Sequence, residues 1–338
     1  MSAPAVSVLM SVRNGARHLP QTLDSIAAQS LRDFELIAVD DGSTDETGAI
    51  LSAMAARDSR VTVLRNAVGT GLPAALNRGL EVVRAPIVAR ADGDDIYHPD
   101  RLARQHAHLA ANPHIGVLSC GYNRIDDDGR RRGTRIPLQG PARLRFRMLF
   151  MNPLLHSGAM FRLEQVRAVG GYDPAYWTAQ DSDLWARLSG ITSMDNLPDA
   201  LVDYRVHDRS IMRTRGEDGQ RLSLTVPARM QTAYLGCEAP HAAEAAALFQ
   251  SFGWLDRRTI RRGIAGLRAI RDVARRIEPD DVARGFVRDV AASLTRQARW
   301  HSKDAAGFAA SIAATALTWR LHGLRYRTGT DSRKEPAF

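Results

Sequence analysis

Residues 6–47 read VSVLMSVRNGARHLPQTLDSIAAQSLRDFELIAVDDGSTDET, and their alternation decides the fold. VSVLMSV (6–12) is a nearly unbroken apolar run with β-branched residues, the pattern of a strand buried on both faces. Apolar residues recur at helical spacing over 19–29, FELIAV (34–39) is a second buried run, and 44–56 follow the DDGST turn as a second helix. A strand over 61–65, a helix over 72–83 ended by Pro86, and a strand over 87–91 continue the rhythm. Strand and helix in alternation predict an α/β chain with a mostly parallel sheet and helices on both faces. Asp41-Gly42 could instead mark a hairpin, but the helical pattern after it argues for a strand-to-helix crossover.

The last of these strands opens into an acidic turn. IVARADGDD (87–95) ends in three carboxylates within four positions, and ligands of such sheets bind beyond the carboxyl ends of the strands. Asp92 and Asp94 form a D-x-D triplet whose oxygens suit a hard cation, Mn²⁺ or Mg²⁺, with phosphate oxygens of a ligand completing the shell. Asp-Gly is also a common turn pair, so a plain solvated turn is the alternative at this point.

Composition narrows the classes. The chain has 338 residues and a net charge of +9, carried almost wholly by Arg. Arg binds phosphate and acidic headgroups through a bidentate fork, which leaves nucleotides, anionic lipid and nucleic acid as partners. The Arg clusters lack interleaved stacking aromatics and match no recognition motif, so nucleic acid is not expected. Cys120 and Cys237 lie outside any metal-ligand spacing, and a reduced, cytoplasmic chain is the expectation. The N-terminus has no charged segment before its apolar run, and no stretch is long and apolar enough to span a bilayer.

Residues 6–47 strongly resemble the opening of family 2 glycosyltransferases of the GT-A fold. The resemblance continues through GLPAALNRG (71–79), ARADGDDIYHPDRLARQ (89–105), HSGAMFR (156–162), GGYDP (170–174), QDSDLWARL (180–188) and YRVHDRS (204–210), in the family's order. It is closest in kind to bacterial enzymes of capsule, exopolysaccharide and lipopolysaccharide synthesis, and it fades beyond about residue 215. A GT-A domain over 1–215 and an Arg-rich α-helical region over 216–338 are expected.

The resemblance implies a metal-dependent, inverting transfer of a sugar from a nucleoside diphosphate, with a UDP-sugar the expected donor and a glycan hydroxyl the acceptor. GDP and dTDP donors also occur among related enzymes. Asp94 is implied as a direct ligand of Mn²⁺ or Mg²⁺, Asp92 as a ribose contact that also reaches the metal, and His207 as a further metal ligand. Ser11, Arg13, Asn14, Asp41 and Asn77 are implied in holding the nucleotide, with Asp41 accepting a hydrogen bond from uracil. An aromatic is common where Arg13 stands, although a guanidinium plane also stacks on a base. Asp181 is implied as the general base on the acceptor; read from the residues alone, it is also a plain helix N-cap. Trp185 is read either as a wall of the acceptor cleft or as core. A scaffold that binds a sugar nucleotide without catalysis is the alternative function. A lipid-linked acceptor would give the Arg-rich region a use in peripheral contact with the inner membrane.

Overall fold

The structure, a computed structural model, describes residues 3–206, 216–250, 255–301 and 306–325. It falls into two compact units, Met1–Met148 with Asn152–Val226, and Leu149–Met151 with Pro227–Phe338.

The first unit is built on one sheet. Its strands are β1 (Val6–Val12), β2 (Phe34–Asp41), β3 (Val61–Asn66), β4 (Ile87–Asp92), β5 (Ile96–Tyr97), β6 (Ile115–Ile125), β7 (Arg131–Arg135), β8 (Met160–Arg162) and β9 (Ser193–Arg205). The order is β3-β2-β1-β4-β8-β6-β9-β5, with β7 paired to β6. The pairs β1·β2, β1·β4, β2·β3 and β6·β9 are parallel, whereas β8 runs antiparallel to both of its neighbours. Asp41-Gly42 is therefore a crossover, because β2 and β3 run the same way.

Among the described residues seven helices accompany the sheet: α1 (Leu19–Ala27), α2 (Thr47–Arg57), α3 (Leu72–Val82), α4 (Arg101–Ala111), α5 (Pro141–Arg147), α6 (Leu163–Ala168) and α7 (Gln180–Leu188). Every residue of β1 is buried, as the centre of a sheet covered on both faces requires. Val6, Val8, Met10 and Val12 join Leu19, Leu23 and Ile26 of α1 in one core cluster. On the other face α3 comes so close that a Cβ on its Gly79 would stand 2.3 Å from Leu9 Cδ1 and 3.3 Å from Val39 Cγ2.

Register sets the edge that matters. Ser11 pairs with Val39 on one side and Asp92 on the other, and Val12 pairs with Asp40. The ends of β2 and β4 thus flank the end of β1, two strand spacings or about 10 Å apart.

The second unit contains the helices α9 (Ala242–Gln250), α10 (Arg257–Ile277), α11 (Asp280–His301) and α12 (Ala306–Arg325); α8 (Gly216–Leu235) carries Pro227, the residue at which the units divide. Phe150 stacks on Phe249 at 4.5 Å and on Phe286 at 5.4 Å, so the short segment Leu149–Met151 supplies part of this unit's core. Asp256 caps α10 by accepting from Arg258 N and Thr259 N. No helix among the described residues is long and apolar enough to cross a membrane.

Gly79→Ala is expected to lower the unfolding free energy by about 1–3 kcal/mol through overpacking, read as a lower urea midpoint at unchanged slope. An unchanged midpoint would mean that α3 does not press on Leu9.

Candidate active site

The loops after β1, β2 and β3 are laced into one floor. Asn14, with φ of +51°, accepts from Thr44 N at 2.9 Å and donates its own N–H to Ser43 Oγ at 3.0 Å. Gly15 N donates to Thr47 Oγ1 and Ala16 N to Asp45. Gly42, with φ of +71°, sits where a Cβ would lie 2.5 Å from Gly69 N, so both its backbone shape and this close approach need glycine. The Arg13 guanidinium lies against Gly69. Asp40 closes the β2 turn by accepting from Ser43 N.

Asp41 is the hub of this floor. Its Oδ1 accepts from Asn66 Nδ2 (2.6 Å), Thr70 N (2.8 Å) and Thr70 Oγ1 (2.8 Å), and its Oδ2 accepts from Gly71 N (2.9 Å). Burial pushes this carboxyl up, but the donors of Thr70, Asn66 and Gly71 outweigh it and hold the group below its ordinary range. An ionised carboxylate with a single donor on Oδ2 keeps acceptor capacity on that oxygen.

The acidic turn after β4 is held by two buried arginines. Arg90, fully buried in β4, donates to Asp92 Oδ1 at 2.5 Å and to Leu9 O at 3.3 Å. Desolvation pushes the Asp92 carboxyl up; Arg90 draws it back, and the like charge of Asp94 adds to the rise. Arg205, at the end of β9, donates from Nε to Asp94 O (2.8 Å), from Nη1 to Asp126 O and Asp127 O, and from Nη2 to Gln21 Oε1. Its backbone N–H donates to Asp95 Oδ1 at 2.8 Å. Asp95 therefore ties the turn to β9, and Ser157 also acts on its buried side chain. Burial, then Asp94 and Asp92, push the Asp95 carboxyl well up. Tyr97 closes the turn, its hydroxyl accepting from Asp92 N and donating to Asp92 O.

Asp181 stands in the first turn of α7, whose N-cap residue is Ala179, so it lies inside the helix rather than capping it. Its Oδ1 accepts from Ser182 N and its Oδ2 from Asn152 Nδ2, each at 2.7 Å. Burial raises its carboxyl above the ordinary range, and the charge of Asp92 is near enough to add to the rise. Asp183, two residues on, is buried against Arg187. Trp185 is fully buried beside His156 and Phe161 and is core, not a cleft wall. His156 Nε2 and the Tyr172 hydroxyl are 2.9 Å apart, and burial keeps this histidine neutral.

Ser11 lies at the strand end beside Asp92 in register, 9 % exposed. Asn77 grips the backbone of Tyr172, donating to its O at 2.7 Å and accepting from its N at 2.8 Å, so both ends of its amide are engaged within the chain. His207 lies outside the described residues. Arg90, Arg205, Asn152 and Tyr172 received no role from sequence reasoning. Arg90 had left a signal, a cation inside an apolar strand two residues before a carboxylate. Arg205 and Asn152 had left none, because their partners are about 80 to 180 positions away or on another element.

A divalent cation can be tested against these residues. The side chains Asp92 and Asp94 offer carboxylate oxygens, the kind Mn²⁺ and Mg²⁺ take. Among the described residues no three His, Cys, Asp or Glu side chains form a ready cluster. Asp92 and Asp94 thus fit a cation that a ligand's phosphates help to hold.

A mostly parallel sheet with helices on both faces and carboxylates at its strand ends is the architecture of the GT-A fold. The family model "Glycosyl transferase family 2" matches residues 7–169. EpsE of Bacillus subtilis is 35 % identical over 214 residues, 62 % of this chain and 75 % of that protein. The amylovoran biosynthesis glycosyltransferase AmsE of Erwinia amylovora is 30 % identical over 213 residues, 62 % of this chain and 79 % of its own length. Among solved structures, S. aureus TarS 1-349 in complex with UDP-GlcNAc aligns with a TM-score of 0.57 at 16 % identity, over 98 % of this chain and 93 % of that one. The mannosyltransferase PcManGT of Pyrobaculum calidifontis, in complex with GDP-Man and Mn²⁺, gives 0.53 at 19 % identity, over 97 % and 86 %. The chain belongs to glycosyl transferase family 2 and is a glycosyltransferase.

Asp41→Asn tests the floor. A carboxyl held below its ordinary value contributes stability that is fully present above the unfolded value and is lost as pH falls through the folded one. The variant is expected to be less stable than the parent by about 1–3 kcal/mol near neutral pH, with the gap closing below about pH 4. Urea melts across that range check this, and a gap constant with pH would contradict it.

Proposed function

We propose that this glycosyltransferase moves a sugar, with inversion, from a UDP-sugar to a hydroxyl of a growing cell-surface glycan. The observation that carries the reading is the placing of carboxylates at the strand ends of one sheet, with donors from other elements holding them: register sets Asp92 beside Ser11, Arg90 and Arg205 hold the acidic turn, and Asn152 holds Asp181 in the first turn of α7. One carboxylate belongs to the acidic turn of β4, the other to the first turn of α7.

In this reading Asp41 receives the N–H of the uracil ring on Oδ2, the oxygen with one donor of its own. Asn14 and Arg13 shape the floor under the base and ribose, and Ser11 ends the strand beneath them. Asp92 and Asp94 would hold Mn²⁺ or Mg²⁺, which when bound supplies Lewis-acid neutralisation of the departing diphosphate. Asp181 takes the proton of the attacking hydroxyl as the new anomeric bond forms and the bond to diphosphate breaks. Attack from the face opposite the leaving group inverts the anomeric carbon. Burial keeps Asp181 more basic than an exposed aspartate, which favours proton abstraction once it is ionised. The polysaccharide role is supported by relatives such as AmsE, and by the O-antigen biosynthesis glycosyltransferase WbnJ of Escherichia coli, 28 % identical over 214 residues, 62 % of this chain and 82 % of that protein.

Calorimetric titration of UDP, GDP and dTDP, with and without Mn²⁺, tests the donor site. Manganese-dependent binding of UDP is expected, lost in Asp94→Ala and kept in Asp181→Asn, whose transfer rate should fall about 10²- to 10⁴-fold. Equal binding by the Asp94 variant would sink the metal reading. Full turnover by Asp181→Asn would sink the base.

A further inference from the structure

The hydrogen bond from Asn152 to Asp181 joins two residues 29 positions apart, and everything around Asn152 serves to aim it. Its own Oδ1 accepts from Leu154 N at 3.0 Å, which fixes which end of the amide faces Asp181. Turning the amide over would set a carbonyl oxygen against a carboxylate oxygen and an NH₂ against an N–H. Pro153 follows, restricting the Asn152 backbone to extended conformations. The segment beyond it is fastened to its neighbours: Pro153 O accepts from Asn196 Nδ2, Leu155 O from Ser119 Oγ, Gly158 O from Gln105 Nε2 and Ala159 O from Arg101 Nη2. A neutral donor is thereby held on a rigid loop against one oxygen of a carboxylate.

Donors on one oxygen do not fix a carboxylate. The terminal torsion of Asp is broad, so the bonds to Oδ1 from Ser182 N at 2.7 Å and Ser182 Oγ at 3.5 Å leave the carboxylate plane free to turn. A donor on the other oxygen removes that freedom. Oδ2 retains a lone pair that Asn152 does not use. An amide also leaves the charge in place, where an arginine would neutralise it and weaken the base.

We propose that Asn152 is the positioning residue of Asp181: with Ser182 N it fixes the carboxylate plane, so that the free lone pair of Oδ2 faces the acceptor hydroxyl. The proposal rests on the reading of Asp181 as the base. Asn152 touches no substrate atom and acts through Asp181 alone. The charged group that acts on Asp181 from another element is Asp92 at the end of β4, which raises it; Tyr172, a neutral phenol on the 170–174 segment, feels both carboxylates and Arg90. Asn152 opposes the rise because its bond favours the ionised form.

The test is a ¹³C NMR titration of the full chain labelled at the Asp carboxyl carbons, in the parent, Asn152→Ala and the isosteric Asn152→Asp. The Asp181 resonance is the one missing from Asp181→Asn. Its midpoint is expected to move to higher pH in Asn152→Ala, which loses a donor, and further in Asn152→Asp, which adds a like charge; the Asp41 resonance should not move. A loop with a merely structural role would leave the Asp181 midpoint in place in Asn152→Ala, and that result overturns the proposal. Should the alanine variant fail to fold, Asn152→Leu, which keeps the volume and removes the donor without adding charge, decides. An active Asp181→Asn would refute the base and leave the titration result standing, so the two failures are told apart.

Discussion

Gathering Asp92, Asp94 and Asp95 at the end of a buried strand is the constraint on which this site depends. Two like charges about 5 Å apart repel by roughly 3 kcal/mol even at an effective dielectric of about 20. Arg90 and Arg205 make the arrangement tenable. Arg90 supplies a fully buried positive charge to Asp92, and Arg205 reaches the turn through backbone, donating to Asp94 O with its side chain and to Asp95 Oδ1 with its own N–H. Arg101 in turn donates to Arg90 O, so the strand that carries the turn is held from behind.

The floor around Asp41 follows a different logic. There the carboxylate of Asp41 is satisfied by its own loops before any ligand arrives, and the cost of ordering residues 66–71 is met on folding. Loops that bind ligands are usually the less stable parts of a fold. Here the cross-links from Asn14 to Ser43 and Thr44, and from Gly15 to Thr47, offset that tendency and leave a shaped floor. Preorganisation of this kind reduces the ordering that binding would otherwise cost. Asp181 is treated alike, held at both oxygens.

Much of the first half was legible in the sequence because its signals are local. The strands expected over 6–12 and 61–65 and the helix expected over 72–83 are found as Val6–Val12, Val61–Asn66 and Leu72–Val82, for buried parallel strands read as apolar runs and helices as period-3.6 stripes. Strand β2 runs two residues further than its apolar pattern, to Asp41, because the acidic residues continue the ladder with β3. The pairing of β6 with β9 and the insertion of antiparallel β8 between β4 and β6 left no local trace. Site residues divide in the same way. Asp92, Asp94 and Asp181 stand in short motifs, whereas Asn77, expected at the nucleotide, shows both amide ends on the Tyr172 backbone, a partner 95 positions away. Arg205 and Asn152 matter through folding alone, and only the fold displays them.

The most direct measurement of the central claim is a crystal structure of the protein soaked with UDP and Mn²⁺. The account predicts the uracil ring against Asp41, the diphosphate beyond the ends of β1 and β4, and manganese, identified by its anomalous scattering, bonded to Asp94. Manganese bound elsewhere, or a nucleotide away from the ends of β1, β2 and β4, would contradict it.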